Sequence, residues 1–345
     1  MQLWTTFCPS KITWELTAVS SKNKHPTSDW QRHQELIASA LHILKVHGIS
    51  GIRLVIFPTE ITTDGKEINW QPIETMLAMC VKEKLLVDLC IGPFQYPYYP
   101  GIYLPEQLQK EITHDLLYLD GNTALAVYGI AFLQKQLTRY SKDTRLHGFH
   151  LANEWPDRQG IFGQEHLKIG VSKEFMIKAA TLLKQQTTKP IALNTNIDAA
   201  DTQKLQASFT EVLSVLGEQG RLGFDIYPSQ ETWRKVPLQK ARRLLASYPT
   251  SFARVCEVFS SCEMYFAEVE AQPWGNGKSW YQIIANESHP EESILGFTPE
   301  SLPLTWKKHI ANTPVQTVSL WGADFWLSAD ALKITWPMEM IKAVR

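Results

Sequence analysis

The stretch His147-Gly148-Phe149-His150-Leu151-Ala152-Asn153-Glu154-Trp155-Pro156 decides how the chain is read. Its short apolar run reads as a buried strand, which Pro156 stops. The run ends in an amide, a carboxylate and an indole. Those polar groups would be costly inside a core. They belong at the mouth of a barrel, where strand ends build the active site. The competing reading is a strand ending in a solvated glutamate at a turn. The sequence on either side separates the two.

Working outward, strand signals alternate with helical periodicity. Residues 3–7 read as a first strand and are followed by loop signals, with an N-cap at Ser28 or Asp29. The helix expected over 30–47 places Ile37, Leu41, Ile43, Leu44 and Val46 on one face. Further strands are expected at 52–57, 85–91, 191–195, 222–227, 264–270 and 315–321. Helices are expected at 73–84, 122–140, 173–184, 201–216, 238–246, in part of 299–312, and at 329–344. With the quoted stretch this gives eight strands in alternation with helices, which argues for parallel strands in an α/β fold. The architecture expected is a (β/α)8 TIM barrel, one catalytic domain over residues 1–345. A doubly wound sheet is the runner-up, but no glycine-rich phosphate turn follows the first strand. The longest irregular stretch, 274–300, is expected to lie over the mouth as a loop.

Composition limits the function. The 345 residues carry a formal net charge of -1, so nothing points to nucleic acid or to a polybasic membrane patch. Hydrophobic residues make up 44% and charged residues 20%, as in a globular chain with a large core. No apolar run approaches the ~20 residues of a membrane span, and the first ten residues lack a signal-peptide pattern. A cytoplasmic protein is expected, and the five cysteines fit free thiols there. Cys256 and Cys262 lack a second close pair, and there is no His-Glu-x-x-His, so neither metal nor other cofactor is expected.

Two strand ends carry carboxylates on opposite sides of the expected mouth: Glu154 on the fourth, and Glu268 and Glu270 on the seventh. Paired carboxylates across a cleft are the minimum apparatus of glycoside hydrolysis. The sequence here resembles the clan A glycoside hydrolases, retaining (β/α)8 enzymes with catalytic glutamates at the ends of strands four and seven. Ala152-Asn153-Glu154-Trp155-Pro156 is similar to the clan's strand-four signature. Phe266-Ala267-Glu268-Val269-Glu270-Ala271-Gln272-Pro273-Trp274-Gly275 resembles its strand-seven pattern. Leu320-Trp321-Gly322-Ala323-Asp324-Phe325-Trp326 resembles its aromatic end of strand eight, with Asp324 where relatives often carry Glu.

The resemblance implies a retaining β-glycosidase acting on carbohydrate, with Glu154 as acid/base and Glu268 as nucleophile. It implies Asn153 on the sugar 2-hydroxyl, Arg53 near the nucleophile, Tyr227 as a phenol donor to it, and Trp321 under the reacting sugar. Two of these have a plainer reading: a structural ion pair for Arg53, a half-buried tyrosine for Tyr227. Glu270 shares the parity of Glu268 and is left for substrate hydroxyls or for the nucleophile's own role. Tyr96, Trp155, Trp274 and Trp326 fall on the expected rim, where they stack on sugars or pack loops together. His147 and His150 are expected to face opposite sides of their strand, His150 either lining the barrel or, as the plainer reading, a satisfied core histidine. Two other functions stay open: a catalytically silent barrel that binds carbohydrate, and a metal-dependent barrel hydrolase. Sugar identity and oligomeric state are not legible.

Overall fold

Residues 1–22, 24–62, 67–92, 116–120, 123–154, 157–158, 168–195, 201–226, 250–270, 313, 315–334, 338 and 341–342 are described by a computed structural model. Their strands, in chain order, are β1 (Gln2–Phe7), β2 (Gly51–Leu54), β3 (Leu86–Cys90), β4 (Leu116–Leu119), β5 (Gly148–Ala152) and β6 (Asp157–Arg158). They continue with β7 (Lys168–Val171), β8 (Ile191–Thr195), β9 (Gly220–Ile226), β10 (Glu263–Glu270) and β11 (Thr317–Trp321). Eight of them, β1-β2-β3-β5-β8-β9-β10-β11, close into a barrel whose neighbours all pair in parallel. These are the eight strands expected from the sequence.

Several of the helices between them bury one apolar face. Lys173–Gln186 begins at Ser172, whose hydroxyl accepts from Phe175 N at 3.1 Å, and buries Phe175, Met176, Ala179, Ala180 and Leu183. Ala124–Tyr140 is capped by Thr123, and Thr202–Leu216 by Asp201. The outward strand residues Ile52, Leu54, Val87, Leu89, Phe149, Leu151, Leu222 and Phe224 meet those faces in the main apolar core.

The observed elements depart from the expected ones in several places. First, helix Pro9–Ser20 follows β1 directly where a loop was expected. Its buried side includes Ser10, Thr13, Glu15 and Thr17, so no apolar stripe announced it. It lies along the helix Ala323–Ala331, and that packing overrides its weak periodicity. Second, Asp29 starts only the 3-10 turn Trp30–Arg32; the following helix, Gln34–Val46, has His33 at its N-cap. Third, β4, β7 and β6 form a small separate sheet. The expected helices at 238–246 and 299–312 and the loop at 274–300 lie outside the described residues.

The barrel's interior is polar. At its floor the Trp4 ring contacts the His147 ring at 5.3 Å between centroids, and His147 Nδ1 lies 2.8 Å from Asp88 Oδ1. Asp88 pairs with Arg221 at 3.0 Å, and Arg221 with Glu263 at 3.0 Å. Arg221 also stands over the Tyr265 ring, 4.8 Å from its centroid. Tyr265 has room because residue 223 is glycine: a Cβ there would come within 2.5 Å of the Tyr265 ring and of Ala267. Buried charges of this kind must be paired to be tolerated, and these are. They close the barrel's floor, and both histidines serve the interior, His147 at the floor just before β5 and His150 further up. His150 was expected to face away from His147, and the expectation fails because His147 precedes the first residue of β5.

Candidate active site

Arg53 is the second barrel strand's inward residue and is buried. Its Nε donates to Thr6 Oγ1 at 3.0 Å, which aims the guanidinium up the barrel. Its Nη2 donates to Glu268 Oε1 at 2.9 Å. Its Nη1 lies 3.4 Å from His150 Nε2. An arginine can only donate, so that imidazole nitrogen accepts. Burial, then the charges of Arg53 and Arg221, hold His150 well below the usual histidine range, and its ring is neutral.

Both strands that carry the expected glutamates are irregular. On β10 the pairing shifts between Phe266 and Glu268 against β9, and between Phe266 and Val269 against β11. Strict alternation from inward Tyr265 and Ala267 would send Glu268 out among the helices. The bulge spends one extra residue, so Ala267 and Glu268 both face the barrel and Val269 returns to the outer core. On β5 the pairing shifts between His150 and Ala152. Two residues later Glu154 stands at φ 56°, in the left-handed region. That conformation costs a side-chain-bearing residue about 1–2 kcal/mol. Strain of this kind persists where surrounding contacts fix it. Here Glu154 N donates to Asn194 Oδ1 at 3.2 Å.

Asn194, fully buried on β8, joins the groups of the mouth. Its Nδ2 donates to Asn153 Oδ1 at 3.0 Å and to Asp225 Oδ1 and Oδ2 at 3.0 and 2.8 Å. Asp225, near the end of β9, completes a cluster with Glu154 and Glu268: one carboxylate oxygen from each lies within 4.8 Å of the others. Burial first, then the charges of Glu268 and Glu154, push the Asp225 carboxyl well above the aspartate range. Asn194 and Arg53 oppose that rise. Oxygen donors so grouped are of the type that hard divalent ions prefer. Here Arg53 already gives Glu268 a cationic partner, and the uncharged Asn194 amide donates to Asp225.

The structure thus brings together Arg53, Asn153, Glu154 and Glu268. Trp321, at the end of β11, is 9% exposed and packs with Cys8, Val55, Phe57 and Cys90 beside this cluster. Glu270 stands in register with Trp321 on β10. Trp326 is a correction. Gly322 turns at φ 132° straight into the helix Ala323–Ala331, and Trp326 is buried in the main core, where no sugar can reach it. Tyr96, Trp155, Tyr227 and Trp274 lie outside the described residues. All five cysteines are free, and burial raises Cys8 and Cys80 to about 12. No described helix is long and apolar enough to cross a membrane.

Sequence reasoning missed Asp225, Asn194 and Thr6. Their signal was positional: Asp225 and Asn194 sit near the C-terminal ends of the sixth and fifth barrel strands, on the inward parity. No short motif marks them, because the partners come from different strands.

No family model matches the chain, and no curated protein matches its sequence. Solved structures do match its shape. A GH5_18 from Bifidobacterium longum subsp. infantis superposes with a TM-score of 0.59 at 12% identity, over 99% of this chain and 78% of that one. A GH5_18 variant from Bifidobacterium longum subsp. longum, in complex with Manb1-4GlcNAc, gives 0.57 at 13% identity, over 93% and 69%. Xylanase 10B from Thermotoga petrophila, in complex with xylobiose, gives 0.53 at 10% identity, over 93% and 81%. At such identities the likeness is one of fold: the chain has the eight-stranded β/α barrel that these glycoside hydrolases also have.

Proposed function

We propose that the chain is a retaining β-glycosidase, a single catalytic barrel over residues 1–345 that hydrolyses carbohydrate without a cofactor. The observation that carries this reading is the approach of Glu154 and Glu268 carboxylate oxygens to within 4.8 Å at the mouth of the barrel. Retention uses carboxyl groups ~5 Å apart, whereas inversion needs room for a water between them. Fold likeness to structures titled as glycoside hydrolases supports the same class.

In this reading Glu154 protonates the glycosidic oxygen while Glu268 attacks the anomeric carbon. Glu154 then takes a proton from the water that hydrolyses the glycosyl-enzyme. Arg53 aims Glu268 through its 2.9 Å charge-assisted contact. Asn153, held by Asn194, meets the sugar 2-hydroxyl, and Trp321 lies under the ring. Tyr227 donates its phenol to the nucleophile. Glu270, Tyr96, Trp155 and Trp274 complete the subsite walls.

The test is a panel of aryl β-glycosides, followed by trapping with the matching 2-fluoro sugar and mapping of the labelled peptide. Glu268→Gly is expected to be nearly inactive and to regain turnover with azide, giving the α-glycosyl azide. A label on Glu270, or rescue of Glu270→Gly alone, would reverse the two roles. Absence of turnover across the panel would remove the enzyme reading.

A further inference from the structure

We propose that Asp225 stands in this site as an uncharged carboxylic acid, a positioning residue that keeps the three-carboxyl mouth from accumulating negative charge. Its part in turnover rests on the glycosidase reading; its charge state does not. Three carboxyl groups from β9, β10 and the turn after β5 place oxygens within 4.8 Å of one another. Among the described residues the guanidinium in contact with them is that of Arg53, and it is spent on Glu268 at 2.9 Å.

Among the described residues, the other groups facing Asp225 bring no compensating charge. His150, beside Arg53, is neutral for the reasons given above. Burial pushes the Tyr265 phenol and the Cys90 thiol up, so both keep their protons. Arg221 is engaged below by Asp88 and Glu263. Asn194 meets Asp225 with an uncharged amide on both oxygens. The guanidinium is matched to the Glu268 carboxylate, and Asp225, met by the Asn194 amide, is left to hold a proton. Crowding of like charges with burial raises such a group, as it does here. Asp225 then steadies Asn194, and through it Asn153 and the strained Glu154 backbone, without adding a charge beside the nucleophile.

The test uses infrared spectroscopy of the whole protein, which needs no substrate. Wild-type protein at pH 7, grown with 13C-labelled aspartate, is expected to show the C=O stretch of a protonated acid displaced by the label. A protonated glutamate would leave an undisplaced band, and an ionised aspartate a carboxylate band. The displaced band is expected to be absent from Asp225→Asn. No label-sensitive acid band at pH 7 would overturn the proposal. A second measurement compares melting temperatures against pH. A folded-state pKa raised above the unfolded value costs stability as pH climbs past the unfolded value. Asp225→Asn is therefore expected to gain on wild type from about pH 4 upward. A constant or shrinking gap would also overturn it. Infrared success with no turnover of any glycoside would refute the function and leave the charge state standing.

Discussion

Replacing Asn194 by alanine tests whether the mouth is built as described. The side chain is fully buried and makes contacts to Glu154 N, Asn153 Oδ1 and both oxygens of Asp225. Hydrogen bonds contribute about 1 kcal/mol each, and more where a buried partner is stranded. Alanine would strand the Asn153 carbonyl oxygen and the Glu154 amide together, so the expected loss is roughly 3 kcal/mol. For a chain of this size that lowers the melting temperature by about 4 °C. A second effect is local. Glu154 holds φ 56° against a cost of about 1–2 kcal/mol. Without its acceptor the backbone relaxes toward φ < 0 and carries the carboxylate away from Glu268. A displacement of about 1 Å is expected to cost roughly 100-fold in kcat. The assays are thermal unfolding and hydrolysis of an aryl β-glycoside found in the panel. An Asn194→Ala protein that melts like wild type and turns over at the wild-type rate would refute the reasoning.

Four further outcomes are expected. Glu154→Gly removes the left-handed penalty and is expected to raise stability by about 1 kcal/mol while abolishing hydrolysis of poor leaving groups; a fall in stability would show that the strain is not there. Arg221→Met takes the guanidinium from the buried Asp88 Oδ2, leaving only His147 on Oδ1 among the described contacts, and is expected to destabilise by about 3 kcal/mol in denaturant titration. His150 has a lowered folded-state pKa, so the unfolded chain binds the proton first and stability falls as pH drops through the unfolded value of 6.5; His150→Gln is expected to flatten that part of the melting profile. Trp326→Ala is expected to destabilise by about 3–5 kcal/mol as a core truncation, whereas Trp321→Ala lowers kcat/KM in a folded barrel; circular dichroism melts beside kinetics tell the two apart.

Much of the architecture was legible because barrel strands are apolar runs with proline or glycine at their ends. The eight strands follow from that grammar alone, and so do Glu154 and Asn153, which end one of them. The helix Pro9–Ser20 was not legible, because its buried side is rich in Ser, Thr and Glu and is stabilised by a neighbour more than 300 residues away. Trp326 misled for the opposite reason. An aromatic just after a barrel strand reads as rim, and only the Gly322 turn shows that the chain enters a helix at once.

The sequence by itself determined the strand order, the polarity of the barrel and the side of the mouth on which each glutamate falls. These depend on local periodicity, which is written in consecutive residues. Tertiary structure decided which carboxyl groups meet. Glu268 faces inward because a bulge in β10 breaks the alternation. Glu154 approaches it because Asn194, from the next barrel strand, holds a left-handed turn. Asp225 joins them because closing the barrel brings the sixth strand beside the seventh. Each of these is a relation between residues about 40 or more apart, or a one-residue slip in register, and the physical cause in every case is contact made only when the sheet closes.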